Sequence, residues 1–451
     1  MTETAESRAG DIPPLPAPAT TGSARRDVRL FWWSNTADAL GSQTSGVVLP
    51  LLLLALGYPP AAVGVIVGAS AALGLLLGPL AAVPADRGAR KPVMVWSASV
   101  AALAMAGVAA AVASGRPPLA LVLGGVLVER FCTAVYEAAS RGTVAMICPP
   151  AGYPRLVARL EVGDRIALVL GPVLGGALYQ VGRAWPFVAD ALSYAATAWC
   201  IRSMRADLSA PGATTPTAET PGATTPRAEA PGATTAYAES AETPGVMAGL
   251  RTELAAGLRL VAGSAVLRPV LLWTSVVNGV LAALYFGMLL TLQRDGHSGT
   301  ATGAVLAVAG AAGIVGALTA PALSARLGAT RSVLAVTWVL VPLAAALAAT
   351  RSPWAQAALF GGICLTMPVA TVVLQSRAIA ATPPYLQARA GAVLATAAGA
   401  AAAVGPVMAG VLVARVGGGG PSLGSAGVLT VLALYVSWAR LRTPAHPGGA
   451  S

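Results

Sequence analysis

Long apolar segments separated by short polar ones recur along almost the whole chain of 451 residues. Each segment is rich in Ala, Leu and Val and lasts for about 20 residues, the length that an α-helix needs to cross a bilayer. The segments do not alternate as barrel strands do, and unpaired backbone cannot face lipid, so helices are the predicted spanning elements. The pattern predicts twelve of them, at residues 30–56, 61–84, 93–114, 119–141, 158–181, 185–202, 269–292, 301–325, 332–350, 353–375, 391–414 and 424–441.

Three short motifs of the first half return in the second half in the same order. Residues 171–176 (GPVLGG) return as 405–410 (GPVMAG), and a Ser-Arg pair followed by a Pro-Pro pair returns with a similar offset. Gly78, ahead of a basic loop, has its counterpart in Gly316. Such a repeat predicts two six-helix halves related by a pseudo-two-fold axis along the membrane normal, with a central cavity between them.

Composition and charge support this fold class and add an orientation. Charged residues make up only 10% of the chain, whereas a soluble domain has about 25%, which excludes a soluble enzyme. We interpret the net charge of +11 as a sign of how the chain is oriented in the membrane, because basic loops remain in the cytoplasm. We do not interpret it as a sign of a nucleic-acid partner. With a cytoplasmic amino end, only five basic residues fall outside: Arg116, Arg183, Arg294, Arg351 and Arg415. We therefore predict a multi-pass protein of the cytoplasmic membrane, with both termini in the cytoplasm.

The sequence offers little material for catalysis or metal binding. The two histidines, His297 and His446, fall in a predicted loop and tail. The four cysteines lie in or beside apolar helices without metal-ligand spacing: Cys132, Cys148, Cys200 and Cys364. No GxxxxGK[ST] motif is present, which argues against direct use of ATP. We predict no catalytic residue, no metal and no cofactor, and hence no enzyme.

The chain divides into five predicted regions. They are a disordered cytoplasmic tail (1–28), an N-terminal six-helix bundle (29–205), a disordered cytoplasmic linker (206–245), an amphipathic linker helix with the C-terminal six-helix bundle (246–442), and a cytoplasmic tail (443–451). The linker repeats the phrase PGATT every ten residues, a composition that buries almost nothing. A flexible connector is the favoured interpretation, and a docking tail for a partner is the alternative.

The loop after the second span contains a signature of acidic and basic residues. Its residues are Gly78, Asp86, Arg87, Gly88, Arg90 and Lys91. The spacing D-R-x-G-R-K resembles the signature that the major facilitator superfamily has between its second and third helices. The resemblance implies a latch whose ion pairs form in one conformation and break in another. The alternative is a positively charged loop that only determines topology.

The fifth span contains a motif that resembles the antiporter motif of the same superfamily. Its residues are Gly171, Pro172, Gly175 and Gly176, with Ala167 where a glycine is usual. The Gly-Pro pair permits a bend, and the glycines permit close approach of another helix, although ordinary packing would use the same residues. The second-half counterpart consists of Gly405, Pro406 and Gly410. Its equivalent position fits helices at an interface that opens and closes.

Other phrases resemble the drug- and siderophore-exporting branch of the superfamily, which includes macrolide efflux pumps and the enterobactin exporter. These phrases are residues 40–50, 185–194 and 385–389. The resemblance extends over nearly all of residues 29–442. It implies a proton-coupled exporter in twelve transmembrane helices.

Charged residues inside the spans are the candidates for proton coupling. Asp38, Glu129, Arg130 and Asp190 all fall within apolar segments, where a charge costs roughly 2.5–3.5 kcal/mol unless it faces a cavity or a partner. A carboxylate whose access to water changes can bind and release a proton, and a nearby arginine changes its proton affinity. We expect Asp38 or Glu129 to take the proton and Arg130 to tune it. A static pair of Arg130 with either carboxylate is the alternative.

The remaining candidates concern the substrate. Residues Asn35, Asp190, Asn278 and Tyr285 are the predicted cavity residues. The second half has no comparable charge inside its spans, which indicates apolar substrate contact there. We predict a monomeric proton antiporter that exports a small hydrophobic or amphiphilic compound, of antibiotic, drug or siderophore type. The alternatives are a proton-coupled importer or facilitator of a small metabolite and a transport-inactive membrane scaffold or sensor.

Overall fold

The fold is that of a computed structural model, which describes residues 21–86, 90–115, 117–148, 152–206, 208, 258–382 and 386–442. Within these ranges the chain forms twelve helices of 18 residues or more. The first six are α1 (Thr21–Ala55), α2 (Pro60–Asp86), α3 (Arg90–Ala113), α4 (Leu119–Ile147), α5 (Tyr153–Val181) and α6 (Trp185–Arg202). The second six are α7 (Leu267–Arg294), α8 (Gly299–Leu327), α9 (Ala329–Ala349), α10 (Pro353–Ala380), α11 (Gln387–Val416) and α12 (Gly420–Arg442).

The predicted fold class, an all-α polytopic membrane protein, is confirmed. Eleven of the twelve described helices are long and apolar enough to cross a membrane. The twelfth, α6, is not among these eleven. Many large apolar side chains of the described helices lie on the outside of the bundle, where lipid would contact them. Leu318 is 77% exposed and Leu103 is 74% exposed, whereas many buried positions carry Ala, Gly or Val.

The helices pack in the same way in both halves. In the first half α1 packs on α5 and α6, α3 packs on α4 and α6, and α2 packs on α4. The second half repeats each pair: α7 packs on α11 and α12, α9 on α10 and α12, and α8 on α10. Between the halves, α2 packs on α11 and α5 on α8. The repeat inferred from the motifs is therefore also a repeat of helix packing.

Both described ends of the bundle lie on the same side. The carboxylate of Asp27, near the start of α1, accepts hydrogen bonds from the backbone N–H groups of Arg205 and Ala206 at 3.1 and 2.8 Å, just after α6 ends. Gly410, near the end of α11, lies against the carbonyl of Pro60 at the start of α2, so α11 ends on the side where α1 ends, and α12 returns to the side of Thr21. We call the side with Thr21 and Arg442 the terminal end and the other side the opposite end.

Several predicted boundaries differ from the structure. Helix α1 begins at Thr21, so residues 21–28, which we assigned to the tail, are helical, because a helix can continue past the apolar segment into the polar region. The repeat linker and the tail at 443–451 lie outside the described residues, apart from Ala206 and Leu208. Of the predicted amphipathic segment only residues 258–263 are described, and they are helical.

Candidate functional site

A cavity of about 800 Å³ lies between the two halves. It is lined by α1, α4 and α5 of the first half and by α7, α8, α10 and α11 of the second. Arg130, Ser42 and Gln43 form much of its polar wall, and Asn278 and Tyr285 face it from α7. Both halves must therefore be in place for the cavity to exist.

The cavity is closed at the opposite end by helices that touch through glycine. A Cβ atom at Gly176, near the end of α5, would overlap the carbonyl oxygen of Gly299 at the start of α8. A Cβ atom at Gly410, near the end of α11, would overlap the carbonyl oxygen of Pro60 at the start of α2. Two exposed residues of the lining, Arg165 and Gln375, lie nearer to the terminal end. The cavity therefore faces the terminal end.

The motif of α5 has two packing faces. Gly171 and Gly175 lie against Gln43 and Thr44 of α1 within the first half. On a second face of α5, Gly176 lies against α8, and the carbonyl of Pro172 lies against Gly303 in α8. The motif therefore joins the two halves while it also holds α5 to α1.

The second-half motif repeats this arrangement. Gly405 lies against Ala282 of α7 within its own half, whereas Gly410 and the carbonyl of Pro406 lie against α2, with Gly64 facing that carbonyl. The two motifs do not pack on each other: each crosses to a helix of the other half. A close contact of this kind is possible only without a Cβ atom on one side.

Glu129 is the centre of a buried polar cluster. Its side chain is only 4% exposed, and its Oε1 atom accepts hydrogen bonds from the hydroxyl of Tyr194 at 2.6 Å and of Thr133 at 3.2 Å. The Tyr194 hydroxyl is also 2.9 Å from Oγ of Ser42. The cluster links α1, α4 and α6 and ends at the cavity, because Ser42 lines it.

Arg130 connects this cluster with the cavity. Its Nε atom is 3.5 Å from Oε2 of Glu129, and its side chain is 41% exposed on the cavity wall. Adjacent helical residues point about 100° apart. The long arginine side chain nevertheless reaches back to its neighbour. Of the two carboxylates expected near Arg130, Asp38 and Glu129, the one that forms an ion pair with it is therefore Glu129.

Asp38 and Asp190 are buried where α1 packs on α6, at 7% and 0% exposure. The close approach of these helices is marked by Gly41, where a Cβ atom would overlap Oδ1 of Asp190 and Oγ of Ser193. Oδ1 of Asp38 has no hydrogen-bond partner among the described residues. Neither aspartate lines the cavity.

Two of the four predicted cavity residues are therefore elsewhere. Asn278 and Tyr285 line the cavity, but Asp190 does not, because α6 packs behind α1. Asn35 is turned towards α4, where its Oδ1 atom accepts a hydrogen bond from Ser140 at 2.8 Å and its amide donates to the carbonyl of Phe31. The helical period places Asn35 on an inward face but does not say which neighbour it meets.

Comparison with known proteins agrees with this architecture. The sequence profile of the Major Facilitator Superfamily matches residues 31–381. The chain belongs to the Major Facilitator Superfamily. No curated protein matches its sequence significantly.

Solved structures of major facilitator proteins resemble the chain over nearly its whole length. A bacterial homolog of the human lysosomal transporter Spinster, in an inward-facing and occupied conformation, has a TM-score of 0.68 at 13% identity, with 95% of this chain and 100% of that chain covered. The nucleoside transporter NupG gives 0.65 at 12%, covering 94% and 100%. The human organic anion transporter MFSD10 (TETRAN) gives 0.59 at 18%, covering 93% and 100%. At these identities the likeness shows the fold alone.

The major facilitator loop between α2 and α3 is described in part. Gly78 and Asp86 belong to α2, whereas Arg87 and Gly88 lie outside the described residues. The Nζ atom of Lys91 donates to the carbonyl of Met204 at 2.5 Å, after the end of α6. A guanidinium nitrogen of Arg90 is 3.6 Å from Sδ of Met146 in α4. These contacts lie within the first half, and the latch whose ion pairs form in one conformation and break in another stays a prediction.

Two polar residues of the cavity and of the cluster around Glu129 are not among the residues predicted from the sequence. Tyr194 holds the carboxylate of Glu129, and Arg165 lines the cavity. A signal for Tyr194 was present, because it lies four residues after Asp190 and hence on the same face of α6. No group of three or more His, Cys, Asp or Glu side chains in the described ranges could hold a metal ion.

Proposed function

We propose that the chain is a secondary active efflux transporter that exports a small hydrophobic or amphiphilic compound by proton antiport with alternating access. The observation that carries the proposal is the cavity of about 800 Å³ between two repeated halves, closed at one end and connected through Arg130 to a buried carboxylate. The phrases that resemble drug and siderophore exporters support the choice of cargo and direction. The activity that we propose for this chain is transport and not catalysis.

Alternating access follows from the symmetry of the contacts. At the opposite end, α5 closes on α8 and α11 closes on α2 through glycines, so the cavity is accessible from the terminal end. Rocking of the two halves would separate these contacts and expose the cavity to the other side of the membrane. With both termini in the cytoplasm, the observed state faces inward and receives cargo from the cell interior.

Proton coupling is assigned to the cluster around Glu129. This carboxylate is buried, but it is one residue from an arginine that faces the cavity. A change in the water access of the cavity would therefore change the surroundings of the ion pair and, with them, the proton affinity of the carboxylate. Asp38, buried nearby between α1 and α6, is the second candidate.

The predicted linker, residues 206–245, and the predicted tails, residues 1–28 and 443–451, lie mostly outside the described residues and stay predictions from the sequence. The protein works as a monomer in the cytoplasmic membrane, with the lipid bilayer, protons and its cargo as its partners. The lining residues of the cavity, within the described ranges, all come from one chain, which supports the proposed monomer.

An accumulation assay with a paired cavity variant tests the proposal. The chain is expressed in a pump-deficient bacterial host, and the cellular content of a panel of amphiphilic dyes and antibiotics is measured with and without a proton uncoupler. Ala317→Trp fills the cavity, which Ala317 lines, whereas Leu318→Trp changes the next residue, which is 77% exposed. We expect the wild type and Leu318→Trp to lower accumulation until the uncoupler is added.

Ala317→Trp is expected to accumulate the same compounds as the empty host. Equal accumulation in cells with the wild type, with Ala317→Trp and without the protein, for every compound of the panel, would contradict export. Lower accumulation that persists in the presence of the uncoupler would contradict proton coupling only.

A further inference from the structure

The wall of the central cavity has positive charges but no negative one among the described residues. Arg130 and Arg165 line it, and no Asp or Glu side chain within the described ranges does. Asp38, Glu129 and Asp190 are buried behind the wall, at 7%, 3% and 0% exposure. A cationic compound would therefore meet no carboxylate oxygen on the described part of this wall, whereas an anionic compound would meet guanidinium groups.

The two arginines differ in the donors that they leave for a ligand. Nε and Nη2 of Arg165 both donate to Oε1 of Glu161, at 2.9 and 2.6 Å. Arg130 contacts Glu129 only through Nε, at 3.5 Å. The terminal nitrogens of Arg130 have no hydrogen-bond acceptor in the described part of the chain, and the side chain is 41% exposed. Arg130 can therefore present a planar pair of donors to a molecule in the cavity.

The facing wall in the second half is mainly apolar and aromatic, and its polar lining residues carry no charge: Asn278, Thr371 and Gln375. The rings of Tyr285 and Phe360 lie with their centroids 6.5 Å apart, and both residues line the cavity. Leu306, Ala309 and Met367 continue this wall. Aromatic and aliphatic walls bind an apolar body by burial of its surface, and a few polar groups then fix its orientation.

We infer that the cargo is an amphiphilic organic anion, with an acidic group on the guanidinium of Arg130 and an apolar body against Tyr285 and Phe360. The inference rests on the proposed function and names the substrate class of its cavity. The planar fork of arginine matches the two oxygens of a carboxylate, and a bond between two charged groups is about twice as strong as one between neutral groups.

Equilibrium binding of three compounds on one scaffold tests the inference. The full chain is placed in nanodiscs of phosphatidylcholine, and 2-naphthylacetate, 2-naphthylacetamide and 2-(2-naphthyl)ethylammonium are titrated by calorimetry, with empty nanodiscs as the blank. We expect the carboxylate to bind at least about tenfold more tightly than the neutral amide. The ammonium compound should bind more weakly than the amide.

Variants then locate the acidic group. Arg130→Gln should remove the preference for the carboxylate, and Arg130→Lys should retain part of it, because a lysine keeps the charge but not the fork. Arg331→Gln, at an exposed position of α9, is the matched control and should keep the full preference. If Arg130→Gln does not fold, the wild-type series and Arg130→Lys still decide.

Several results would overturn the inference. They are equal binding of amide and carboxylate, tighter binding of the ammonium compound, absence of carboxylate binding, and a preference that survives Arg130→Gln but disappears in Arg165→Gln. Binding in nanodiscs needs neither a proton gradient nor transport. A failure of the export assay with the carboxylate preference intact therefore contradicts the proposed function alone.

Discussion

Gly64 of α2 lies directly against the backbone carbonyl of Pro406 in α11, so closely that a Cβ atom at position 64 would overlap the carbonyl oxygen. The same relationship joins Gly303 of α8 with the carbonyl of Pro172 in α5. Both proline carbonyls belong to one of the repeated motifs at residues 171–176 and 405–410, whereas both glycines lie on other helices. The same contact between a glycine and a proline carbonyl therefore occurs twice at the closed end of the cavity.

Substitution of Gly64 tests whether this contact closes the cavity. Gly64→Val should prevent full closure and reduce export at least severalfold, because the new side chain meets rigid backbone rather than a flexible side chain. Gly74→Val is the matched control: it lies on the same helix, and nothing lies within 4 Å of a Cβ atom there.

Labelling of Cys364, which lines the cavity, by an impermeant thiol reagent gives a second readout. In cells that express a variant with Cys364 as the only cysteine, Gly64→Val should raise its labelling from the outside. Unchanged labelling and export in Gly64→Val would show that the contact does not hold this end closed.

Replacement of each buried carboxylate by its amide tests proton coupling. Glu129→Gln should reduce proton-driven efflux at least about tenfold and leave exchange of cargo without a gradient largely intact, because the amide keeps the shape but cannot bind the proton. Asp38→Asn is the second variant in the series, and Asp295→Asn, at an exposed position just after α7 that does not line the cavity, is the control. Undiminished proton-driven efflux in both buried variants would end the coupling hypothesis.

Gly41→Ala is expected to destabilise the first half. The new methyl group would overlap Oγ of Ser193 and Oδ1 of Asp190, and overpacking of this kind costs about 1–3 kcal/mol. The comparison is Gly46→Ala on the same helix, where the nearest atom is a terminal nitrogen of Arg130 at 4.0 Å. Thermal unfolding in detergent measures both. An equal melting temperature for the two variants would show that α1 and α6 can separate at little cost.

Deletion of residues 211–244 separates a transporter from a scaffold. The deletion leaves Leu208 in place, which is only 1% exposed and packs in the core of the first half. A transporter should keep at least about half of its efflux, because the entropy of closing a loop between two folded parts changes only slightly with the length of the loop. Loss of activity with normal amounts of protein in the membrane would instead indicate that the repeats bind a partner.

The amino-acid sequence by itself determined the twelve helices, the repeat and the burial of charge. An apolar segment of about 20 residues has few other ways to satisfy its backbone in lipid, so its length and composition decide its structure. The burial of Asp38 and Glu129 followed for the same reason, since both lie inside such segments. The repeated Gly-Pro motifs of α5 and α11, 234 positions apart, are recognisable in the sequence alone.

Only the tertiary structure decided which side chains meet. A helical period gives the direction of a side chain but not the helix that stands there. In the folded chain, Asn35 forms its hydrogen bond with α4, and Asp190 packs against α1 instead of lining the cavity. Glu129 accepts a hydrogen bond from the hydroxyl of Tyr194, 65 positions away. Contacts between distant segments depend on how whole helices pack, and that packing is determined by all of their faces together rather than by any one local pattern.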